Sequence, residues 1–310
     1  MNIIKAYLKQ LHEGEGNTID IVWCAICYGA SPNNYREFGF KKLSAKQRST
    51  YVTNRLSEKM IKKYNKSEYV SLFEDKALFA EKFSEFFGRK WIRTEGMNKE
   101  GLLRFLHSVG NQVIYKPIGS AQGIGIRVYQ EQDYDNIWEK IRELPSAIIE
   151  EWIPQHPIIS AVYQDAVNCL RIITVYRDGI THFLAGGMTW GCGEKIANAS
   201  ATGIVSPVNF DTGVLEKPAA DFKGNIYERH PYSSVPLVGF QLPYWNETKA
   251  MLRKAAAVVP QVGYVGWDIA ITPTGPVLIE GNTTPGYKFY QIPAHMVNGI
   301  GNRKVYEQFL

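Results

Sequence analysis

The stretch Asp268-Ile-Ala-Ile-Thr-Pro-Thr-Gly-Pro-Val-Leu-Ile-Glu280-Gly-Asn282 decides the fold. Two apolar runs flank the breaker cluster 272–276, which predicts a tight β-hairpin. A turn centred near Thr274 sets Asp268 across from Glu280. Side chains two apart on a strand share a face, so Asn282 joins Glu280. Two carboxylates and an amide oxygen then converge. Hard oxygen ligands of this kind suit Mg²⁺, especially where phosphate oxygens complete the shell.

A second feature lies upstream, in Lys116-Pro-Ile-Gly-Ser-Ala-Gln-Gly-Ile-Gly125. Gly119, Gly123 and Gly125, with Ser120 and Gln122 between them, allow close backbone approach to a ligand and expose N–H groups that cradle phosphates. Lys116, leaving the preceding strand, is placed to neutralise phosphate charge. The loop carries no Gly-Lys-Ser/Thr and opens no helix, so neither a Walker A loop nor a dinucleotide fingerprint fits. A strand is expected on each side of it, at 113–117 and 124–129, which makes it a hairpin tip acting as a flap. The apolar strand 147–153 ends in Glu150-Glu-Trp-Ile-Pro154. Either Glu150 or Glu151 accepts from an adenine amine there, with the main chain of Trp152 or Ile153 serving the ring nitrogen. Adjacent strand residues point to opposite faces, so only one glutamate does this.

The rest of the chain reads as alternating helices and strands. A capping box at Ser44-Ala-Lys-Gln47 predicts a helix running to about residue 63. Residues 28–35 read as a loop, 75–87, 99–108 and 134–142 as helices, and 91–94 as a short strand. Segments 170–176 and 181–184 flank a hairpin turn at Arg177-Asp-Gly179. A strand at 205–210 and a long helix at 246–259 precede the terminal hairpin. The expected organisation is a helical element over 1–70, a nucleotide-binding part with the flap over 71–150, and a part with the metal site over 151–310.

Composition sets the outer bounds. The 310 residues are 45% hydrophobic and 21% charged, ordinary for a globular enzyme. The net charge of +5 comes without a long Lys/Arg block, so no nucleic-acid partner is expected. No signal peptide and no membrane span are read, and four cysteines fit a reducing cytoplasm. Cys24 and Cys27 form a CxxC without further ligands and read as buried structural thiols.

These pieces, in this order, resemble the ATP-grasp superfamily, whose D-alanine–D-alanine ligases share the layout. The resemblance is closer to the sugar-transfer-associated ATP-grasp proteins. It is carried by Tyr28-Gly-Ala-Ser-Pro, residues 38–44, Asp75-Lys76, Ile149-Glu-Glu-Trp-Ile-Pro-Gln-His156, Asn168-Cys-Leu-Arg171, Val208-Asn-Phe-Asp-Thr-Gly213 and Val277-Leu-Ile-Glu-Gly-Asn-Thr-Thr-Pro-Gly286. It spans nearly the full length and implies an α+β ATP-grasp fold with an N-terminal helical element.

By this resemblance Lys76 and Lys116 bind the ATP phosphates from two sides and the loop 119–125 closes over them. Glu150 with Trp152 and Ile153 holds adenine, and Gln155 or His156 lies near the ribose. Asp268, Glu280 and Asn282 bind one or two Mg²⁺. The implied activity is an ADP-forming carboxylate–amine ligase working through an acyl phosphate, with a small or sugar-linked carboxylate and an amine as partners. A homodimer is compatible with it. A kinase that phosphorylates a hydroxyl and a nucleotide-binding regulator are the alternatives. The chain departs from the D-alanine–D-alanine ligases at Gly266, where those enzymes carry an arginine two residues before the metal aspartate. Arg171, inside an otherwise apolar strand, is the expected substitute, with Lys116 the second catalytic cation. The small-residue loop 190–203 is expected to face the γ-phosphate or acceptor through Lys195 and Asn198, and Cys192 within it reads as structural.

Overall fold

The computed structural model describes residues 18–119, 124–142, 144, 146–193 and 203–310, with residue 135 described by its backbone alone. Ser120, Gln122, Gly123, Lys195 and Asn198 lie outside the described residues.

Four long strands of eight to eleven residues, rich in β-branched and aromatic side chains, form the body of the larger sheet. It is antiparallel and seven-stranded, in the order β10 (Ile226–Tyr227), β9 (Ala219–Ala220), β7 (Ile204–Pro207), β6 (Ile180–Trp190), β5 (Cys169–Arg177), β12 (Tyr264–Thr272), β13 (Gly275–Asn282). β12 is buried along its whole length because both faces of the sheet are covered. On one face the long helix Trp245–Val258 and the phenylalanines of 73–87 enclose the largest core. Phe79 stacks on Phe83 at 4.5 Å, and Phe83 meets Trp267 of β12 edge-on at 5.5 Å. On the other face the helices Thr18–Tyr28, Pro32–Glu37 and Asn54–Tyr64 pack over Ile173, Val175 and Tyr264, together with residues 287–309.

The smaller sheet is also antiparallel, in the order β1 (Trp91–Arg93), β4 (Ala147–Glu151), β2 (Gln112–Pro117), β3 (Arg127–Gln130). Ile92, Val113, Tyr115, Tyr129 and Ile149 point to one face, where the helices Lys99–Ser108 and Tyr134–Ile141 cover them. Alternation then turns Lys116, Ile148 and Glu150 to the opposite face. There Ile148 joins the core of the larger sheet. The third sheet pairs β11 (Phe240–Gln241) with β8 (Val214–Leu215).

The terminal hairpin is as expected: Asp268 pairs with Glu280 and Thr272 with Gly275 across a two-residue turn. The hairpin at Arg177-Asp-Gly179 is likewise present. Several boundaries differ. The capping box at Ser44 exists, yet its helix ends at Arg48. Ser49 Oγ and Thr50 Oγ1 donate to the carbonyls of Lys46 and Gln47, competing with the next turn, and a fresh helix starts at Asn54. The expected helix 75–87 is two helices, Lys76–Lys82 and Ser84–Phe87, broken at Phe83. Residues 28–35 are not all loop: Ser31 accepts from Asn34 N and Pro32 opens a short helix. The strand after the flap begins at Arg127 rather than at 124. Of the CxxC pair only Cys24 is buried; Cys27 is exposed on the outer face of its helix.

Candidate functional site

Asp75 starts the assembly. Its Oδ1 accepts from Ala77 N at 2.8 Å and Leu78 N at 3.1 Å, which caps the helix Lys76–Lys82 and holds Lys76 in its first turn. Lys116 projects from β2 on the face that also carries Glu150. Its Nζ donates to Glu150 Oε2 at 2.8 Å, and Arg89 Nε donates to the same oxygen at 2.6 Å. Burial alone would push the Glu150 carboxyl up, but Arg89 and Lys116 overcome it and hold it below its ordinary value. Burial lowers Lys76, and the neighbouring Lys116 adds to this while Glu280 and Glu150 oppose it. Lys76, Lys116, Glu150 and Glu280 line one cleft.

The hairpin supplies the acidic side. Asn282 Nδ2 lies 3.2 Å from Glu280 Oε1 and 3.4 Å from Asp268 Oδ2, so the three side chains meet. Burial and the charge of Asp268 raise the Glu280 carboxyl, with Arg171 and Lys116 offsetting part of the effect. Arg171 stands opposite Asp268 in the β5–β12 register, and its Nε and Nη2 donate to the two oxygens of Asp268. The position expected to need a cation beside the aspartate is filled this way. Gly266 leaves the room: a Cβ there would meet Pro285 Cβ at 3.3 Å and Arg171 Cδ at 3.5 Å.

The donor set fits a divalent cation. Asp268 is already paired with Arg171, so the charge left to relieve is that of Glu280, whose carboxyl burial and Asp268 both raise; a divalent ion would relieve it. Among the described residues no group of three or more His, Cys, Asp or Glu side chains could hold a metal. The site brings together two carboxylates and the amide of Asn282, whose Nδ2 faces both of them.

Beyond Arg171 and Asp268 a cavity of about 430 Å³ opens between the helix Asn54–Tyr64 and residues 284–290. Ser57 and Glu58 line it from the helix, Lys288 from the far wall, and the rings of Phe222 and Phe289, stacked at 3.7 Å, also line it. Cys169 sits beside Asp268 with its thiol pushed well up by burial, and then by Asp268, so it is a neutral wall.

Other expected residues are placed differently. Glu150 is the counter-ion of Lys116 and Arg89, which corrects the expectation of a carboxylate open to an adenine amine. Glu151 points to the other face, where its Oε2 accepts from Lys90 N at 3.2 Å. The N–H of Trp152 already donates to the Gln112 carbonyl, so it does not serve a ring nitrogen, and Ile153 follows with a buried side chain. Gln155 is engaged at both ends: it accepts from Asn168 and donates to the Ala166 carbonyl, a structural role. His156 caps the short helix Pro157–Ser160 and packs edge-on against Tyr244 at 5.7 Å. Of the flap, Gly119 and Gly125 are described; both hold left-handed φ, 74° and 75°, at its two ends. Burial raises the thiol of Cys192.

Sequence reasoning missed Arg89. It is buried, stacks 3.4 Å over Phe87, and donates to the carbonyls of Phe87 and Leu278, tying β13 to Glu150 of the smaller sheet. An arginine two residues after the Phe86-Phe87 pair, across Gly88, was the available signal.

The family described as sugar-transfer associated ATP-grasp matches residues 55–307. The chain belongs to this family. The ATP-grasp fold is therefore that of the two antiparallel sheets described above, and ATP-grasp proteins bind ATP. Similar solved structures include the ADP complex of the N5-carboxyaminoimidazole ribonucleotide synthetase purK, at 11% identity and TM-score 0.48, covering 72% of this chain and 48% of that one. The ATP-grasp ligase PsnB with minimal precursor is 13% identical at TM-score 0.48, covering 79% and 62%. The D-Ala:D-Ser ligase VanG from Enterococcus faecalis is 16% identical at TM-score 0.46, covering 76% and 60%. This ATP-grasp chain thus spans 48–62% of the length of those three structures. No curated protein matches it.

Proposed function

We propose that this ATP-grasp protein is an ADP-forming carboxylate–amine ligase. The observation that carries the reading is the convergence of Lys76, Lys116 and Glu280 on one cleft, with Asp268 and Arg171 linking that cleft to the 430 Å³ cavity. That cleft measures only about 10 Å³ as it stands, so triphosphate would have to part its walls to meet the two lysines, and the flap between Gly119 and Gly125, with Ser120, Gln122 and Gly123, would close over it. Glu150 fixes the ammonium of Lys116 so that it is already oriented when phosphate arrives. Adenine would lie along the end of β4 near Ile153, with His156 toward the ribose.

Asp268, Glu280 and Asn282 would hold Mg²⁺, which when bound neutralises phosphate oxygens. The acid would enter from the cavity. Its carboxylate oxygen attacks the γ-phosphorus, the bridging P–O bond to the β-phosphate breaks, and ADP leaves. Arg171 lies where charge builds on the transferring phosphoryl group and then on the tetrahedral centre. The amine attacks the acyl carbon, phosphate leaves, and a proton is lost. Positioning of bound reactants contributes on the order of 7–11 kcal/mol, so a clamped, water-poor site suits the chemistry. The paired rings of Phe222 and Phe289 with Glu58 and Lys288 suit a polar acceptor that has an apolar face, as a sugar does. The family description points the same way, toward sugar transfer.

The test is incubation with ATP, Mg²⁺, candidate acids and hydroxylamine. A hydroxamate formed together with ADP and phosphate is expected. A stable phosphoester would make the protein a kinase, and no substrate-dependent ATP consumption under any acid tried with an amine would leave it a nucleotide-binding regulator.

A further inference from the structure

The helix Thr18–Tyr28 buries Ile21 and Cys24 and turns its opposite side outward. There Ile19 is 77% exposed, Trp23 58% and Ile26 64%, with Val22 beside them at 39%. Their spacing of three, four and seven residues makes one apolar stripe. At the end of the stripe Arg55 Nη2 donates to the carbonyls of Ala25 and Ile26, at 2.9 and 3.0 Å. Arg55 belongs to the helix Asn54–Tyr64, on which Lys59, Lys62 and Lys63 are exposed, so a cationic ridge continues where the stripe stops. Residues 18–66 carry ten Lys and Arg against three Asp and Glu, a net +7, whereas the whole chain is +5. Two of the three acids are already paired, Asp20 with Arg48 and Glu37 with Lys288.

We propose that this outer face of the N-terminal helical element docks on an anionic lipid bilayer. Outward tryptophan and isoleucine settle at the headgroup–acyl boundary, and flanking lysines gain from the negative surface potential. Nucleic acid would engage the lysines but leaves the apolar stripe in water. The described helix is eleven residues, ~16 Å, against a hydrocarbon core of ~30 Å, so this segment suits lying on the bilayer and is too short to cross it. Among the described residues no helix is long and apolar enough to span one. The helix Asn54–Tyr64 lines the 430 Å³ cavity with Ser57 and Glu58, so docking brings that cavity within about a helix diameter, ~10 Å, of the lipid headgroups.

The experiment is co-sedimentation of the full chain with vesicles of phosphatidylcholine alone, or of phosphatidylcholine mixed equally with phosphatidylglycerol. Binding to the mixed vesicles is expected, at least ~10-fold above the neutral ones and weakened by salt. The double variant Trp23→Ser/Ile26→Ser and the triple variant Lys59→Glu/Lys62→Glu/Lys63→Glu should each lower the partition, the triple by about 100-fold. All five positions are outside the ATP cleft, so thermal shift by an ATP analogue should stay as in the parent. Equal pelleting with neutral vesicles, or none with either, overturns the proposal. So does a dimer in light scattering that Trp23→Ser abolishes, or retention on DNA as strong as on the anionic vesicles.

Discussion

Arg171 and Asp268 face each other across β5 and β12, and the guanidinium grips both oxygens of the carboxylate. Burial works against the arginine's charge, and Asp268 more than restores it. The pair sits where the acidic hairpin meets the 430 Å³ cavity. Arg171→Ala should lower kcat by about 10²–10³, since a preorganised donor at a site of developing charge contributes of that order. Arg171→Lys should recover only part, because an ammonium cannot make the two parallel bonds. Steady-state kinetics with ATP near saturation measure both, and full activity in Arg171→Ala would remove Arg171 from the reaction.

Arg89, Glu150 and Lys116 form a buried ionic group in which one acid holds two cations. Arg89→Met should cost about 3–5 kcal/mol of folding stability by leaving Glu150 short of a partner. Adding Glu150→Gln should return part of that loss, so the double variant is more stable than the sum of the singles. Urea unfolding midpoints report the coupling. Strict additivity would mean that the two side chains do not act as a pair.

Glu280 is buried beside Asp268, and both effects raise its carboxyl. Glu280→Gln removes a disfavoured charge while keeping an oxygen for Asn282. Its melting temperature should be unchanged or higher, and Mg²⁺ should no longer add to the stabilisation by an ATP analogue. Thermal shift with and without Mg²⁺ separates folding from metal binding; a Mg²⁺ increment retained in the variant would exclude Glu280 from the ion's ligands.

His230 and His295 are buried, each with a ring nitrogen against a main-chain carbonyl, of Gly191 at 2.8 Å and Phe289 at 2.6 Å. Burial lowers both below the ordinary value of 6.5. Below that value the unfolded chain binds more protons than the folded one, so stability present at higher pH is lost as pH falls, until the folded-state values are passed. Thermal melts from about pH 7.5 to about 5.5 should show the decline, and the double variant His230→Gln/His295→Gln should flatten it.

Asp75 caps the helix that begins with Lys76. Asp75→Ala should cost about 1 kcal/mol of stability and loosen the first turn. The KM for ATP should rise more than kcat falls, and Asp75→Asn should restore most of the difference because its amide oxygen still accepts. Equal losses in KM and kcat for the two variants would point to the charge of Asp75 and not to the cap.

Features legible in the sequence were those encoded within a dozen or so residues. The hairpin at Asp268–Glu280 follows from alternation and one breaker cluster, and the helix start at Asp75 and the box at Ser44 are local as well. Where neighbouring hydroxyls competed with the backbone, as at Ser49 and Thr50, the element was read too long. The opposite facing of Glu150 and Glu151 was also readable from strand alternation, but not which of them looks into the cleft.

That choice belonged to the tertiary structure, because it depends on which face of the smaller sheet the helices Lys99–Ser108 and Tyr134–Ile141 cover. So did the partners of Glu150, one of them Arg89, 61 residues away, and the pairing of Arg171 with Asp268 over a separation of 97. Periodicity and turn chemistry state how each strand alternates. Strand order and register, set by burying both faces of the larger sheet at once, decide which charges meet.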